Sequence, residues 1–200
     1  SMSKNHSHIH LFGDPEENFY SLGKKDQFSY EEIYQQISML CARNTFFAQV
    51  LKFATEYLAR NKTLENQSFM RNLDAYAEGL ERKRENVAFA MLLPELVAAF
   101  NKWSPQLIQY VPGCSSLIYV DPNNNCTTHA RILDYALAGP FEKYERSITY
   151  DFKGQKKICS FSSSGMPFPS LTGFNEDGLS MALHYKHGEY FNFEGESIFF

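Results

Sequence analysis

Residues 113–135 read GCSSLIYVDPNNNCTTHARILDY and decide the fold of the second half of the chain. A cluster of Asp, Pro and Asn at 121–125 separates two runs that are rich in apolar and β-branched residues. A cluster of turn-forming residues between two such runs predicts a strand over 116–120, a turn, and a strand over 126–132. Similar runs predict further strands at 147–152, 157–161, 179–185 and 190–193, so we expect a sheet of meandering strands.

The sequence before this hairpin has helical periodicity. Ser29 and Glu32 form an S-x-x-E capping box, and apolar residues follow at steps of three and four as far as Leu58, which predicts a helix that begins at Ser29. The same pattern predicts helices over 69–80 and 87–103. We expect the second of these to be interrupted or restarted at Pro94, because proline suits a first helical turn better than a helix interior.

Residues 1–28 are polar and rich in turn residues, which predicts a loosely held terminal segment. His6, His8 and His10 alternate there and could bind a metal, but no carboxylate or thiol lies in register with them, so we expect a mobile terminus. The predicted fold class is α+β. Its predicted parts are a terminal segment (1–28), a helical segment (29–113) and a sheet domain (114–200).

Composition and charge exclude several classes of protein. The 200 residues weigh 23.1 kDa and carry a formal net charge of -4, with the basic residues scattered, so nucleic acid is not an expected partner. The longest apolar stretch, 87–100, contains Pro94 and Glu95 and is too short to span a bilayer, and no secretory signal is visible. The four cysteines lack a C-x-x-C pair and read as mostly reduced thiols, which leaves the cellular compartment open.

Cys114 is the strongest candidate for chemistry. An unperturbed thiol, with a pKa of about 8.5, is mostly protonated at neutral pH, so a nucleophilic cysteine needs a base. Cleavage just before Cys114 would supply one, because the freed α-amine can take the thiol proton. Gly113 suits such a cut, since it lacks a Cβ and can expose its carbonyl to the sulfur. The alternative is a buried core cysteine, the role we expect for Cys41, Cys126 and Cys159.

Four segments carry a resemblance to a known superfamily. Residues 113–117 (GCSSL) and 130–135 (ARILDY) match a C-[TS]-[SG] strand and a second strand that closes on [AG]-R-x-[LM]-D-[WFY]. Residues 173–179 (GFNEDGL) match G-x-N-E-x-G-L, and residues 73–80 (LDAYAEGL) match a helix that contains AEG. These segments resemble the N-terminal-nucleophile cysteine hydrolases. That superfamily groups choloylglycine (bile salt) hydrolases, penicillin V acylases, the acid ceramidase group and the acyl-CoA:6-aminopenicillanate acyltransferases.

The resemblance implies a role for each matching residue. Cys114 would cleave its own chain and then serve as the N-terminal nucleophile. Arg131 would favour the thiolate, and Asp134 would orient the new α-amine and accept its protons. The backbone N–H of Tyr185 would contribute to an oxyanion hole. Asn175 is the fifth candidate, with a turn or scaffold role favoured over direct catalysis.

His129 and His184 invite a Cys-His dyad interpretation. The base in this superfamily is the α-amine, however, so we expect both histidines to be packing or pocket residues.

The resemblance also implies the activity. We expect hydrolysis of a non-peptide N-acyl amide through a cysteine acyl-thioester, with no cofactor and no metal. The alternatives are transfer of the same acyl group to an amine, and a non-catalytic binding module with an inactive cysteine. The two fragments made by self-cleavage could stay associated.

The implied fold is the start of a four-layer αββα domain, with residues up to 113 as a helical pro-segment. Such a domain needs more chain than the 87 residues from Cys114 to Phe200, and the superfamily carries a further asparagine and arginine downstream. We therefore expect the sheet domain to continue beyond Phe200. The abundant Phe and Tyr are core material first, so the sequence leaves the acyl group and the amine open.

Overall fold

The computed structural model describes residues 7–43, 45, 48–49, 52–53, 67–100, 113–134 and 139–184. These residues form an α+β structure, as predicted. The helices are α1 (Pro15–Ala42), α2 (Gln67–Gly79), α3 (Arg84–Phe100) and the short α4 (Gly139–Glu142). The strands are β1 (Ser7–Gly13), β2 (Gly113–Val120), β3 (Thr127–Asp134), β4 (Glu145–Phe152), β5 (Ile158–Ser163), β6 (Thr172–Asn175) and β7 (Ser180–Ala182).

The strands form two sheets. One has five strands in the order β1-β4-β5-β6-β7, in which β4 to β7 make an antiparallel meander and β1 pairs with β4 in parallel. The hairpin of β2 and β3 is a separate two-stranded antiparallel sheet. The predicted hairpin and meander are confirmed, but they do not share one sheet, and β6 was not predicted. The strand predicted at 190–193 lies outside the described residues.

The predicted loose terminus is wrong. Residues 7–13 form β1, whose register against β4 runs from Ser7 opposite Arg146 to Gly13 opposite Phe152. The α1 helix begins at Pro15 because the carboxylate of Asp14 accepts the N–H of Glu17 at 2.9 Å, which is an N-cap with proline in the first turn.

The capping box predicted at Ser29 is also wrong, because both of its residues lie inside α1. The Ser29 hydroxyl donates to the carbonyl oxygen of Asp26 at 3.1 Å, within the same helix. Glu32 instead accepts hydrogen bonds from Lys143 and Tyr144, which lie beyond the proposed cleavage point.

The two predicted helices before the hairpin are present. The α2 helix covers most of the range predicted for it, and α3 runs through Pro94 without a restart. Six of the seven residues from Val87 to Leu93 are buried, and their packing outweighs the cost of about 3 kcal/mol for an interior proline.

The α1 and α2 helices touch through glycines. A Cβ added at Gly79 would lie 2.1 Å from the carbonyl oxygen of Tyr20 and 3.0 Å from the Cα of Gly23. A Cβ added at Gly23 would lie 2.3 Å from the carbonyl oxygen of Tyr76. The helix backbones are thus too close for any side chain at this crossing, which fixes α2 against α1.

One hydrophobic core lies between the helices and one face of the five-stranded sheet. It joins residues on both sides of the hairpin, including Phe19 and Tyr30 of α1 and Ile148 and Tyr150 of β4. Phe19 packs its ring against Phe168, with the ring centroids 5.0 Å apart. The helical half and the strand half therefore share a core and do not form two separate units.

A buried polar network crosses this core. Both terminal guanidinium nitrogens of Arg146 donate to the Asp26 carboxylate, at 2.5 and 2.7 Å, and both side chains are 4% exposed. The Tyr76 hydroxyl donates to Asp26 at 2.6 Å and accepts the backbone N–H of Gly165 at 3.0 Å. Four charged or polar groups from α1, α2, β4 and the loop after β5 thus hydrogen-bond to one another in the interior.

Within the described residues, no helix has both the length and the apolar character needed to cross a membrane.

Candidate active site

The β2–β3 hairpin places the candidate residues beside one another. Cys114 pairs with Leu133, and Ser116 pairs with Arg131. Directly opposed residues of an antiparallel pair project to the same face, and every second residue shares that face. Cys114, Arg131 and Leu133 therefore share one face of the hairpin. That face is turned toward the body of the protein, because all three are partly buried and Leu133 packs against the core.

The guanidinium of Arg131 contacts the thiol of Cys114. Its Nη2 lies 3.4 Å from Cys114 Sγ and also donates to the carbonyl oxygen of Leu183 at 2.8 Å. The hydrogen bond to the Leu183 carbonyl oxygen holds the Arg131 side chain in this position. The contact therefore holds a guanidinium group beside the sulfur of the candidate nucleophile.

Asp134 lies at the end of the hairpin and faces Gly113 across it. A Cβ built on Gly113 would be 3.8 Å from the Asp134 Cβ, which places the aspartate beside the Gly113–Cys114 peptide bond. The Asp134 side chain is exposed and makes no hydrogen bond or ion pair within the part of the chain that the structure describes. Because side chains alternate along a strand, the Asp134 side chain projects to the face opposite that of the Cys114 thiol and Arg131, so it borders the peptide bond and not the sulfur.

Gly113 is the first residue of β2. Its backbone is an ordinary strand and does not have the positive φ that would require glycine. An added Cβ would meet only the carbonyl oxygen and Cβ of Asp134, at 3.5 and 3.8 Å, which are normal contact distances. The backbone of the intact chain does not itself need a glycine before Cys114.

Asn175 has a scaffold role. Its side-chain oxygen accepts the backbone N–H groups of Asp177, at 3.1 Å, and Leu179, at 3.0 Å, across the turn between β6 and β7. Gly178 in the same turn has a φ of +84°, which favours glycine. None of the hydrogen bonds among the described residues joins Asn175 to Cys114, Arg131 or Asp134.

Tyr185 lies outside the described residues. The two residues before it contact the hairpin: Leu183 accepts the hydrogen bond from Arg131, and His184 lies 2.6 Å from the Ser116 hydroxyl. The proposed oxyanion-hole role of the Tyr185 N–H stays a prediction.

A cluster of serines and histidines next to Cys114 was not predicted. The Ser116 hydroxyl lies 2.6 Å from His184 Nε2 and 3.3 Å from His129 Nε2, and His129 Nδ1 lies 3.1 Å from the Ser180 hydroxyl. A serine hydroxyl has one proton, so it can donate to one imidazole and accept from the other. The cluster joins the hairpin to β7 and is consistent with the pocket role expected for both histidines.

Cys126 and Cys159 are not buried core residues. Cys126 is exposed in the hairpin turn, where its N–H donates to the Asn124 side chain at 2.8 Å, and Cys159 on β5 is partly buried. The expectation that both are buried is wrong. The side chain of Cys41 lies outside the described ones.

The histidines near the N-terminus are strand residues. His8 Nδ1 lies 2.7 Å from the Ser147 hydroxyl, and His10 Nε2 lies 3.4 Å from the Asp151 carboxylate. His6 lies outside the described residues. Across the described part of the chain, no group of three or more His, Cys, Asp or Glu side chains is arranged to hold a metal ion.

A cavity of about 540 Å³ lies between the hairpin and the ends of β4 and β5. Arg131 and Leu133 line it from the hairpin, and Arg146 and Ser162 line it from the five-stranded sheet. Its volume lies within the range of small-molecule sites. Much of its wall is apolar, formed by Leu133, Phe141, Phe161, Met166 and Leu171.

No protein-family model matches this chain, and no curated protein matches it either.

Proposed function

We propose that this chain is a self-cleaving amidohydrolase of the N-terminal-nucleophile type, with Cys114 as its nucleophile. The observation that carries the proposal is the distance of 3.4 Å between the Arg131 guanidinium and the Cys114 sulfur. The motif resemblance around both residues implies the same contact between the arginine and the thiol. The α+β arrangement, with helices on one face of a largely antiparallel sheet, is compatible with the start of an αββα domain.

Self-cleavage would begin at the Gly113 carbonyl. The Cys114 sulfur attacks the carbonyl carbon and the C–N bond breaks. The nitrogen keeps its amide proton, takes the proton that the thiol gives up, and becomes the α-amine of Cys114. Gly113 is then held as a thioester. Water hydrolyses this thioester, which releases the Gly113 carboxylate and restores the thiol.

The mature site would then act on an amide. The α-amine takes the thiol proton, with Asp134 beside it, and Arg131 stabilises the thiolate. The thiolate attacks the amide carbonyl, the α-ammonium returns its proton to the leaving amine, and an acyl-thioester forms on Cys114. Water, deprotonated by the α-amine, attacks the thioester and releases the carboxylic acid.

The hydrophobic core shared by the two halves of the chain supports the expectation that the two fragments stay associated after cleavage. The β1 strand and the α1 and α2 helices belong to the first fragment, and β4 belongs to the second. They are joined by the β1–β4 pairing and by the buried Asp26–Arg146 ion pair. The helical part is thus a structural subunit of the mature protein.

Intact-mass measurement of the purified chain tests the proposal. We expect two species, one of which begins at Cys114, and we expect Cys114→Ala to remain whole and inactive toward N-acyl amides. Cys159→Ala is the matched control, because that thiol is also partly buried, and it should cleave like the natural sequence. Cleavage by Cys114→Ala would refute the role of this sulfur.

Product analysis in the presence of a competing primary amine separates hydrolysis from acyl transfer. Release of the free acid at an unchanged rate supports hydrolysis, and a new amide supports transfer.

A further inference from the structure

Ser116 lies between two imidazoles on the hairpin face that also carries Cys114. Its hydroxyl oxygen is 2.6 Å from His184 Nε2 and 3.3 Å from His129 Nε2. Ser116 and Cys114 are two residues apart on β2, so the hydroxyl and the thiol project from the same side of the strand. The proposed amidase reaction uses neither this hydroxyl nor either imidazole.

The hydrogen-bond partners of the cluster give its protons a direction. The Ser180 hydroxyl lies 3.1 Å from His129 Nδ1 and can donate to it, which leaves the His129 proton on Nε2. The His129 Nε2–H group then donates to the Ser116 oxygen. The one proton of Ser116 is left for His184 Nε2, at the shorter distance of 2.6 Å. Ser116 thus has a base within hydrogen-bond reach and a second imidazole that holds its oxygen in place.

The cluster is open to solvent and therefore to a substrate. Ser116 and His184 are exposed, and His129 is partly buried. The neighbouring Ser115 is exposed too, but it pairs with Ile132 and projects to the other face of the hairpin. Within the described part of the chain, its hydroxyl makes no hydrogen bond to an imidazole. The two serines therefore share their strand and their exposure, and they differ in their contact with a base.

We propose that Ser116 is a second nucleophile of this protein, with His184 as its general base, and that it acts on carboxylic esters. The hydroxyl oxygen attacks the ester carbonyl carbon while its proton passes to His184 Nε2. The alcohol leaves with that proton, and an acyl-serine forms. Water then gives a proton to the same nitrogen and attacks the acyl group. The carboxylic acid is released, and His184 returns the proton to the serine oxygen.

An ester suits this site better than an amide does. An alkoxide or a phenolate leaves a tetrahedral intermediate more readily than an amine nitrogen does, so a single imidazole is enough to assist its departure. The reaction needs neither the Cys114 thiol nor a new α-amine. It is therefore an activity separate from the proposed amidase, and it can be measured in the full Cys114→Ala chain.

Labelling of the Cys114→Ala chain by a fluorophosphonate tests the nucleophile. The Ser116 oxygen bonds to phosphorus, fluoride leaves, and the hydroxyl proton passes to His184. Peptide mass spectrometry should find the phosphonyl group on Ser116 and not on Ser115. His184→Gln keeps a polar side chain without a basic nitrogen and should slow labelling about 100-fold, the lower end of what a general base contributes. Equal labelling of the two serines, no labelling of either, or an unchanged rate in His184→Gln would overturn the proposal.

Hydrolysis of p-nitrophenyl acetate tests the substrate class. The Cys114→Ala chain should hydrolyse this ester through an acetyl group on Ser116. Adding Ser116→Ala should lower the rate at least tenfold, whereas adding Ser115→Ala, the matched control, should leave it unchanged. Circular dichroism establishes that each variant is folded. An unchanged rate in folded Ser116→Ala would show that other side chains hydrolyse the ester without this serine, and it would contradict the proposal.

Discussion

Tyr76→Phe removes one hydroxyl from the buried network that links the two sides of the proposed cleavage point. The hydroxyl donates to Asp26 at 2.6 Å and accepts the N–H of Gly165 at 3.0 Å. Burial and the charge of Asp26 raise the pKa of Tyr76 well above its ordinary value of 10.0, so the hydroxyl remains protonated and a donor across the physiological pH range.

The expected cost is the sum of two losses. A hydrogen bond to a charged group contributes about 1.5–3 kcal/mol, and a buried N–H left without an acceptor costs about 1–3 kcal/mol. The ring stays in place, so the loss of a hydroxyl creates little cavity. We expect Tyr76→Phe to lower the free energy of unfolding by about 3–5 kcal/mol, because coupled losses within one network do not simply add.

Tyr30→Phe is the matched control. Tyr30 is equally buried, but its hydroxyl donates to the carbonyl oxygen of partly buried Asn86 at 2.9 Å, so the expected cost is about 1 kcal/mol. Denaturant unfolding followed by circular dichroism measures both variants, in the Cys114→Ala background so that the chain stays covalently intact. If the two variants unfold at the same denaturant concentration, the network does not stabilise the fold as argued.

Three further predictions concern the packing of the fold. Gly79→Ala should lower the free energy of unfolding by about 3 kcal/mol, because its Cβ would overlap the α1 backbone. Gly139→Ala is the control, since its Cβ would meet nothing within 4 Å, and it should unfold at the denaturant midpoint of the natural sequence. Equal unfolding midpoints for the two variants would contradict the close contact between α1 and α2. The hydrogen bonds from Tyr144 and Lys143 lower the pKa of Glu32 below its ordinary 4.5, so its stabilisation is complete above that pH and is lost as the pH falls through the lowered pKa. Unfolding midpoints of Glu32→Gln and the natural chain should therefore differ at pH 6 and converge in acid, and a constant difference would contradict this. Size-exclusion chromatography of the cleaved protein at high salt should give both fragments in one peak, because salt screens ion pairs but does not weaken the burial of apolar side chains. Two separate peaks would refute a core shared by the fragments.

Local sequence patterns predict the elements that are stabilised locally. The hairpin is predicted by the Pro and Asn cluster at 121–125, and α2 by its apolar periodicity. The first turn of α1 was missed although Asp14 and Pro15 form a standard helix start, because Gly13 and Gly23 suggested turns. Gly23 is required by the approach of α2, a contact between distant parts of the chain. The parallel pairing of β1 with β4 is likewise invisible in either strand alone.

In the candidate site, too, contacts within the hairpin could be predicted from the sequence, and contacts between the hairpin and other elements could not. The pairing of Cys114 with Arg131 follows from motif resemblance together with hairpin register. The cluster of Ser116, His129 and His184 was not predicted, because it depends on how β7 approaches the hairpin. The cavity depends on the same packing and has no sequence pattern of its own.

The most direct test of the central claim compares the reactivity of two thiols in one molecule. Cys114 and Cys159 are both partly buried, but among the described contacts only Cys114 has an arginine guanidinium at 3.4 Å. Peptide mass spectrometry after timed iodoacetamide treatment at pH 7 should show Cys114 alkylated at least tenfold faster than Cys159, and Arg131→Gln should remove that advantage. Equal rates for the two cysteines in the natural sequence would contradict the assignment of Cys114 as the nucleophile.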